Sequence, residues 1–343
     1  MINLTKRFIK GVLFMKYIDL HCDTLCMAFE TKDKNIYDRP QFMVDINRLK
    51  KAGVLAQFFA MYMPPQEWIH NIKAGCTDDD FIDDLYATLC DAIAQHPDDI
   101  AWAKNAVDME NNAKQGKVSA FLTIEDGRSV NGSFEKFDKY YDMGVRLVSL
   151  THNFENCFGY PNSTDSKIMS AGLKPFGKEA VEYMNDKGII IDVSHLSDGG
   201  FWDVMELSKK PIVASHSCAR ALTPHQRNLT DEMIKAMADK GGVCGINFCP
   251  LFITPDLSAN GGWIEDSKLA DIVRHVVHLY NVGGSDFVAI GTDFDGIGGK
   301  LDIASPLDMD KLFDALLKNG MNAADVEKIA YKNAERLVKD TLK

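Results

Sequence analysis

Short apolar runs recur along the chain, and segments with helix-like spacing of apolar positions lie between them. Runs rich in Val, Ile, Leu and Phe are typical of β-strands. They predict eight strands, at roughly 17–21, 54–62, 118–124, 145–151, 188–194, 211–215, 242–248 and 286–292. The other segments predict helices at 43–52, 79–95, 103–115, 134–143, 171–187, 199–208, 230–240, 263–281, 307–318 and 322–341.

The order of these elements predicts the fold. Because strands alternate with helices, we expect parallel βαβ units, and eight such units predict a closed (β/α)₈ barrel of the TIM type. No Gly/Ser-rich linker divides the sequence, so one barrel domain is predicted over residues 16–343. Residues 1–15 are expected to be an N-terminal extension, either disordered or upstream of a misplaced start.

Individual residues mark where some helices begin and end. Thr230, followed by two acids, predicts an N-cap, and the glycines at 241–242 predict the end of the same helix. The acids at 78–80 could be mistaken for a cation site. Their position at the start of a predicted helix favours a solvated first turn that matches the helix dipole.

Composition narrows the classes of function. The 343 residues carry a formal net charge of -11, which argues against a nucleic-acid-binding groove. Eight cysteines form no Cys-x-x-Cys pair, so free thiols in a reducing cytosol are the simpler interpretation, although one bridge stays open. Lys10 interrupts the apolar stretch near the start, and no later stretch is long enough to span a membrane. We therefore expect a soluble cytoplasmic protein without a membrane anchor.

Candidate chemistry lies at the ends of the predicted strands. His21 and Asp23 are two residues apart at the end of the first strand, so their side chains point the same way. Acids and histidines follow the later strands in the same manner, and the active site of such a barrel lies at this end. The residues concerned are Glu125, His152, His195, His216 and Asp293.

A single histidine on an apolar element is more often a structural residue than a ligand, but joint placement at one rim favours a metal centre. Imidazole and carboxylate ligands without cysteine suit Zn²⁺, while Mn²⁺, Co²⁺ and Fe²⁺ stay open. The ligands suffice for two ions if Glu125 bridges them, as in two-metal hydrolases. The remaining histidines lie in predicted loops or helices and are expected to be structural: His70, His96, His225, His275 and His278.

Seven ordered motifs resemble those of the membrane (renal) dipeptidases, the M19 metallopeptidases of the amidohydrolase superfamily. The resemblance extends from about Lys16 to the end of the chain. The motifs are His21-Cys22-Asp23, Ile124-Glu125-Asp126-Gly127, Leu150-Thr151-His152-Asn153, Asp192-Val193-Ser194-His195, Ser215-His216-Ser217, Arg227-Asn228-Leu229 and Gly291-Thr292-Asp293-Phe294-Asp295-Gly296.

This resemblance implies a binuclear zinc dipeptidase that acts through a metal-bridging hydroxide. His21 and Asp23 would hold one zinc ion, His195 and His216 the other, and Glu125 would bridge them. It further implies that His152 stabilises the tetrahedral intermediate, that Arg227 binds the free C-terminal carboxylate of a dipeptide, and that Asp293 moves the proton to the leaving amine.

The residues alone leave several points open. Arg227 could equally be a surface arginine, and Asp293 and Asp295 could both face the site, so the resemblance alone selects Asp293. Asp19 is either a support for His21, which we favour, or a buried structural acid. Phe252 stands where some relatives place a substrate-facing tyrosine, so the substrate side-chain preference stays open.

Two alternative functions compete with the dipeptidase. One is an amidohydrolase that cleaves N-acyl amino acids or another small amide, and Arg227 discriminates it only partly because acyl amino acids also carry a free carboxylate. The other is a non-catalytic metal-binding barrel, which a missing ligand would favour. Small dipeptides are the expected partners, no nucleic acid is expected, and a homodimer is left open.

Overall fold

Eight parallel strands form a closed barrel within the residues that this computed structural model describes, which are 6–9, 12–254 and 266–343. In chain order, the strands of the described residues are β1 (Lys6–Ile9), β2 (Val12–Met15), β3 (Ile18–Cys22), β4 (Ala56–Tyr62), β5 (Ile100–Trp102), β6 (Val118–Glu125), β7 (Val145–Ser149), β8 (Ile190–Asp192), β9 (Val213–Ser217), β10 (Val243–Ile246), β11 (Asp266–Ser267), β12 (Val288–Ile290) and β13 (Lys300–Leu301).

Helices follow the barrel strands and cover the barrel. They are α1 (Thr24–Glu30), α2 (Ile46–Ala52), α3 (Gln66–Ile72), α4 (Asp78–Gln95), α5 (Ala106–Lys114), α6 (Phe134–Met143), α7 (Ser166–Met169), α8 (Pro175–Lys187), α9 (Asp198–Leu207), α10 (Asp231–Asp239), α11 (Pro250–Ile253), α12 (Leu269–Gly283), α13 (Asp310–Lys318), α14 (Ala323–Glu327) and α15 (Asn333–Thr341). Short 3₁₀ turns occupy Gly127–Val130 and Pro306–Asp308, and a π-helical turn occupies Lys328–Lys332.

The barrel closes between β4 and β6. Its strand order is β4, β3, β12, β10, β9, β8, β7 and β6, and β6 pairs back with β4 in parallel from Ala56↔Ser119 to Tyr62↔Glu125. The short strand β5 pairs with the first residues of β6, before β7 takes over the same edge. The predicted (β/α)₈ barrel is therefore confirmed, and β5 is an addition that the apolar pattern did not predict.

The interior of the barrel is filled by large apolar side chains from neighbouring strands. Phe58 of β4 and Phe121 of β6 are fully buried, and their rings stack with centroids 4.6 Å apart. Such filling makes the barrel a packed core rather than a pore. The core fixes the strand ends, and with them the side chains that project from the rim.

Two of the predicted helix boundaries are confirmed. The Thr230 side chain accepts a hydrogen bond from the backbone N–H of Met233 at the start of α10, and Gly241 adopts a left-handed φ of 75° just beyond the end of the helix. Thr77 and Asp80 form a capping box at the start of α4, so the acids at 78–80 lie in a helical first turn as predicted.

The structure differs from the predicted elements at several places. The helices α1 and α3 were not predicted, because both are short and follow a barrel strand closely. The helix predicted over 263–281 begins at Leu269 in α12, and residues 263–265 lie outside the described residues. The helix predicted over 322–341 is interrupted by the π-helical turn.

Near the start of the chain, β1 and β2 pair as an antiparallel hairpin, with Lys6 opposite Met15. Residues 1–5 and 10–11 lie outside the described part, and the assignment of 1–15 as an extension stays a prediction.

Among the described helices, none combines the length and the apolar character that a bilayer crossing requires.

Candidate active site

Three barrel strands carry polar side chains that meet at one rim. His21 lies on β3, Glu125 is the last residue of β6, and His216 lies on β9. Asp23 follows β3 directly, at the start of α1. All four residues are buried. The parallel barrel brings them together because the carboxyl ends of its strands share one rim.

The Glu125 carboxylate lies at the centre of this group. Its Oε2 is 3.5 Å from Nε2 of His21. Its Oε1 is 3.2 Å from Nε2 of His195 and 3.3 Å from Nε2 of His216, and Nε2 of His152 is 3.9 Å from the same oxygen. Each oxygen of Glu125 therefore faces a different set of ring nitrogens.

Two sets of ligand atoms flank this carboxylate. On one side, Nε2 of His21 is 3.3 Å from Oδ2 of Asp23 and 3.8 Å from Oδ1 of Asp293. On the other side, the Nε2 atoms of His195 and His216 are 3.1 Å apart. The structure therefore brings together all five predicted metal ligands, with the predicted proton carrier beside one of the two sets.

The residues of this cluster fit a divalent metal. Among the residues that the structure describes, Nε2 of His21 and Oδ1 of Asp23 are buried without a hydrogen-bond partner, although buried polar groups are nearly always satisfied. Imidazole and carboxylate donors without thiolate suit Zn²⁺ and similar ions. Within the described ranges, three groups have ligand atoms within 4.8 Å of one another: His21, Glu125 and His216; Glu125, His152 and His195; and His21, Asp23 and Asp293.

Burial controls the protonation of these groups. It lowers the pKa of His195 and His216 well below the ordinary value, and the nearby Arg227 and other histidines act in the same direction. Both rings are therefore neutral, which is the form that binds metals. Burial also raises the pKa of the Glu125 carboxyl, and His21 offsets this only in part.

His21 differs from the other two histidines. Burial disfavours its charged form, but the carboxylates of Glu125 and Asp23 outweigh that effect and hold its pKa well above the ordinary value. The cluster thus attracts positive charge at the position between these acids. A bound cation there competes with the proton on His21, so metal binding is expected to release that proton.

A hydrogen-bond network sets the tautomer of His216. The Asp192 carboxylate accepts hydrogen bonds from the hydroxyls of Ser149 and Ser215 and from the backbone N–H groups of Ser194 and Ser215. Since the Ser215 hydroxyl donates its proton to Asp192, its oxygen accepts from Nδ1 of His216, 2.7 Å away. Nε2 of His216 then keeps its lone pair for a ligand at the centre.

Asp293 follows β12 in an unusual backbone conformation. Its φ is 63°, and that of His195 is 67°, a left-handed region that non-glycine residues seldom adopt and that clusters at functional sites. The side-chain amide of Asn247 donates to Oδ2 of Asp293 at 2.9 Å. Burial raises the pKa of Asp293 to about 7, with Asp23 acting in the same direction and His21 against it.

The two aspartates at this strand end have different surroundings. The Asp295 carboxylate accepts hydrogen bonds from Oγ1 of Thr24 at 2.6 Å and from the backbone N–H of Met43 at 2.6 Å. It borders the same cavity but ties the start of α1 to the segment before α2. Asp293, by contrast, reaches the His21 ring.

Asp19 supports the site through the backbone. Its carboxylate accepts from the backbone N–H and the hydroxyl of Thr292, at 2.9 and 2.7 Å, and from the backbone N–H of His21 at 3.3 Å. These contacts join β3 to the segment that follows β12. Asp19 therefore acts as a buried structural acid. The alternative that we favoured, in which Asp19 supports the His21 ring, does not match these contacts.

Gly296 leaves room for two carboxylates. A Cβ atom at this position would lie 2.1 Å from Oδ2 of Asp23 and 2.7 Å from Oδ1 of Asp293. Real Cβ atoms do not approach oxygen so closely, so any larger residue would displace one of these groups. The close approach explains a glycine at this point of the loop.

Arg227 lies in the loop after β9 and is buried, so it is not the surface arginine that the residues alone allowed. Nη1 donates to Oγ of Ser217 at 2.7 Å, and Nη2 donates to the carbonyl of His216 at 2.8 Å. Its guanidinium carbon is 5.7 Å from the centroid of the Phe252 ring. These contacts fix a permanent cation at the edge of the site.

The cluster opens into a cavity of about 460 Å³. Arg227, His152 and Phe252 border it, and so do residues that the strand-end pattern did not predict, among them Met27, Glu30, Tyr62, Trp68, His225 and Cys249. His225 was predicted to be structural, but it faces the cavity, and its Nδ1 accepts from the backbone N–H of Arg227 at 3.1 Å. Its position two residues before Arg227 was the available signal.

Solved structures share this architecture. A metallopeptidase from Rhodobacter sphaeroides, liganded with a phosphinate mimic of the dipeptide L-Ala-D-Ala, has a TM-score of 0.86 at 23% identity and covers 96% of this chain and 99% of its own. A probable dipeptidase from Pseudomonas aeruginosa has a TM-score of 0.84 at 22% identity, with 95% of each chain covered. At these identities the likeness shows the fold.

Sequence comparison identifies the family. A Klebsiella pneumoniae protein of uncharacterised function is 34% identical over 261 residues, which are 74% of this chain and 93% of that protein. An uncharacterised dipeptidase of Schizosaccharomyces pombe is 32% identical over 229 residues, which are 65% of this chain but 53% of the relative. The family model for membrane dipeptidase (peptidase family M19) matches residues 9–343. The chain therefore belongs to peptidase family M19, the membrane dipeptidases.

Proposed function

We propose that the chain is a dipeptidase with two zinc ions, which hydrolyses dipeptides that carry a free C-terminal carboxylate. Its family supplies the coarser statement, that it is a metallo-dipeptidase. His21 and Asp23 would hold one ion and His195 and His216 the other, with Glu125 shared between them. The expected cytoplasmic location and the homodimer left open stay predictions.

One observation carries the proposal for two ions. The two oxygens of Glu125 face different ring nitrogens, Oε2 towards His21 and Oε1 towards His195 and His216. A carboxylate that served one ion would direct its oxygens to one set of ligands. Two divalent ions bound in this way would polarise the scissile carbonyl and acidify water, which is what amide hydrolysis at neutral pH requires.

His152 is suited to stabilise the charge that develops on the substrate. Burial lowers its pKa to about 3, so its ring is neutral at physiological pH. It borders the cavity beside Glu125, and its ring centroid is 4.1 Å from that of His195. A neutral imidazole in this position can donate a hydrogen bond to the oxyanion of the tetrahedral intermediate.

Asp293 is suited to move the proton. Its pKa of about 7 lies near the working pH, where a general acid–base group is most effective. The Asn247 amide orients one of its oxygens, which leaves the other, near His21, to take a proton from the attacking water. The same oxygen would then give the proton to the leaving amine.

Arg227 is suited to bind the C-terminal carboxylate of the substrate. Its guanidinium is held by Ser217 and by the His216 carbonyl, and its buried Nε has no partner in the described part of the chain. A planar, positioned guanidinium binds carboxylates with two parallel hydrogen bonds. Arg227 contacts the backbone carbonyl of His216, one of the proposed metal ligands. A substrate that reaches both Arg227 and the metal centre would therefore be a short peptide.

The first prediction concerns the shared carboxylate. Glu125→Gln removes the negative charge that both ions require, so metal content should fall from about two ions per chain, as two-metal sites require, to one or fewer. Metal analysis of the purified protein measures this. Glu182→Gln, an exposed glutamate on α8, is the control and should keep both ions. A Glu125→Gln variant with two ions would contradict the bridging role.

The second prediction separates proton transfer from metal binding. Asp293→Asn keeps the shape of the side chain and removes its basicity, so turnover should fall by roughly 10²–10⁴-fold while metal content stays near that of the wild type. Kinetics and metal analysis on one preparation measure both quantities. Loss of metal in parallel with activity would make Asp293 a ligand instead, and full activity would assign proton transfer to another group.

The third prediction tests the substrate class through Arg227. Dipeptides should be hydrolysed, whereas C-terminal amidation should cost about 2 kcal/mol, or about 30-fold in kcat/KM, because the guanidinium loses a charged hydrogen-bond partner. The panel also contains tripeptides and N-acyl amino acids. Arg227→Lys keeps the charge but not the two-pronged geometry, and it should narrow the difference between acid and amide.

Two outcomes of this panel would contradict the proposal. Faster turnover of N-acyl amino acids than of dipeptides would make the enzyme an acyl-amino-acid hydrolase. Equal turnover of a dipeptide and its amide would show that the substrate carboxylate is not recognised, and Arg227 would then have no role in substrate binding.

A further inference from the structure

One face of α1 forms a wall of the active-site cavity. Asp23, Cys26, Met27 and Glu30 all border the cavity, and their spacing of three, four and seven residues places them on one side of a helix. Asp23 stands at the metal-ligand end of this wall. Glu30 stands at the outer end, in the last turn of the helix, and is exposed at the cavity mouth.

The position of Glu30 does not stabilise the helix α1. An anion in the last turn of a helix opposes the helix dipole, and the last turn of α1 contains no basic residue. Within the described parts of the chain, Glu30 takes part in no ion pair and no side-chain hydrogen bond. Its carboxylate is therefore available to a cation that enters the cavity.

A positive charge, Arg227, borders a different side of the cavity. Arg227 belongs to the loop after β9, and β10 and β12 separate β9 from β3, the strand that leads into α1. The cavity thus has a cation on one side and an anion at the mouth on another. If Arg227 binds the C-terminal carboxylate, as the proposed function states, the N-terminal residue of the substrate points away from Arg227, towards α1.

Distance along α1 decides which group of the substrate Glu30 can reach. Seven residues separate Asp23 from Glu30, which corresponds to about 10 Å along a helix. The α-ammonium group is two bonds from the scissile carbonyl carbon and so stays near the metal-ligand end. The long stem of a Lys or Arg side chain can instead run outward along the wall.

The surface between these two ends suits such a stem. Met27 and Trp68, both half-buried, border the cavity, and Trp68 is packed near Phe29 with ring centroids 6.4 Å apart. Lys and Arg commonly bury their methylene stems on apolar surface while the charged head stays in water. The wall therefore offers an apolar path that ends at a carboxylate.

We infer that Glu30 is a specificity-determining residue that selects dipeptides with Lys or Arg at the N-terminal position. This inference rests on the proposed function, since it takes the orientation of the substrate from Arg227. Glu30 pairs with the head group of the basic side chain at the cavity mouth. The pair is exposed, so it contributes selectivity between substrates rather than the chemistry.

The test compares kcat/KM for Lys-Ala, Arg-Ala and Met-Ala with the full-length, metal-loaded chain. Met is unbranched and uncharged, so the ratio of a basic substrate to Met-Ala isolates the charge. The wild type should favour the basic substrates about fivefold, the size expected for an exposed ion pair. Glu30→Gln should bring the ratio to about one, and Glu30→Lys should reverse it.

Two controls accompany this test. Glu67→Gln removes an exposed glutamate from α3 that does not border the cavity, and it should keep the wild-type ratio. Raising the salt concentration should shrink the wild-type preference, because the screening length falls from about 10 Å at 0.1 M to about 3 Å at 1 M.

Three results would overturn the inference. If Glu30→Gln leaves the ratio of kcat/KM for basic substrates to that for Met-Ala unchanged, Glu30 does not interact with the N-terminal side chain of the substrate. Equal loss on all three dipeptides would assign Glu30 to the α-ammonium group, which all of them share. Hydrolysis of dipeptides without any basic preference would remove this inference alone, whereas no hydrolysis of any dipeptide would remove the proposed function and the inference with it.

Discussion

The active site depends on one buried carboxylate. Glu125 is 3% exposed, and its two oxygens lie 3.2–3.5 Å from the ring nitrogens of three histidines. Burying an anion costs several kcal/mol unless cations or hydrogen-bond donors compensate. Burial lowers the pKa of His195 and His216, so both rings are neutral and offer no positive charge to Glu125. The His21 ring, whose pKa Glu125 and Asp23 raise, compensates in part, and divalent cations beside Glu125 would supply the rest.

The surrounding structure holds this arrangement in place. Asp192 and Ser215 fix the tautomer of His216, and Asp19 ties the backbone of His21 to the end of a neighbouring strand. His195 and Asp293 occupy left-handed backbone conformations, which cost energy and persist where neighbouring contacts determine them. The barrel supplies those contacts through its packed interior, so the positions of the proposed ligands depend on the fold.

The sequence predicted the barrel, and the polar residues gathered at its rim, for a physical reason. Apolar runs of buried parallel strands are visible in sequence, and polar residues at their ends stand out. The rim residues His21, Glu125 and His216 were therefore predicted from placement alone, whereas Arg227 required the family resemblance. Glu30 and His225 were not predicted, because a short helix and an irregular loop place them and neither has a periodic pattern. The contacts of Asp295 likewise depend on a segment distant in sequence.

The central claim is that two divalent ions share Glu125. Anomalous diffraction from crystals of the zinc-loaded protein, recorded on both sides of the zinc absorption edge, tests it most directly. The account predicts two peaks about 3.5–4 Å apart, the spacing of two-metal hydrolases, one beside His21 and Asp23 and the other beside His195 and His216. A single peak at full loading, or peaks away from Glu125, would contradict it.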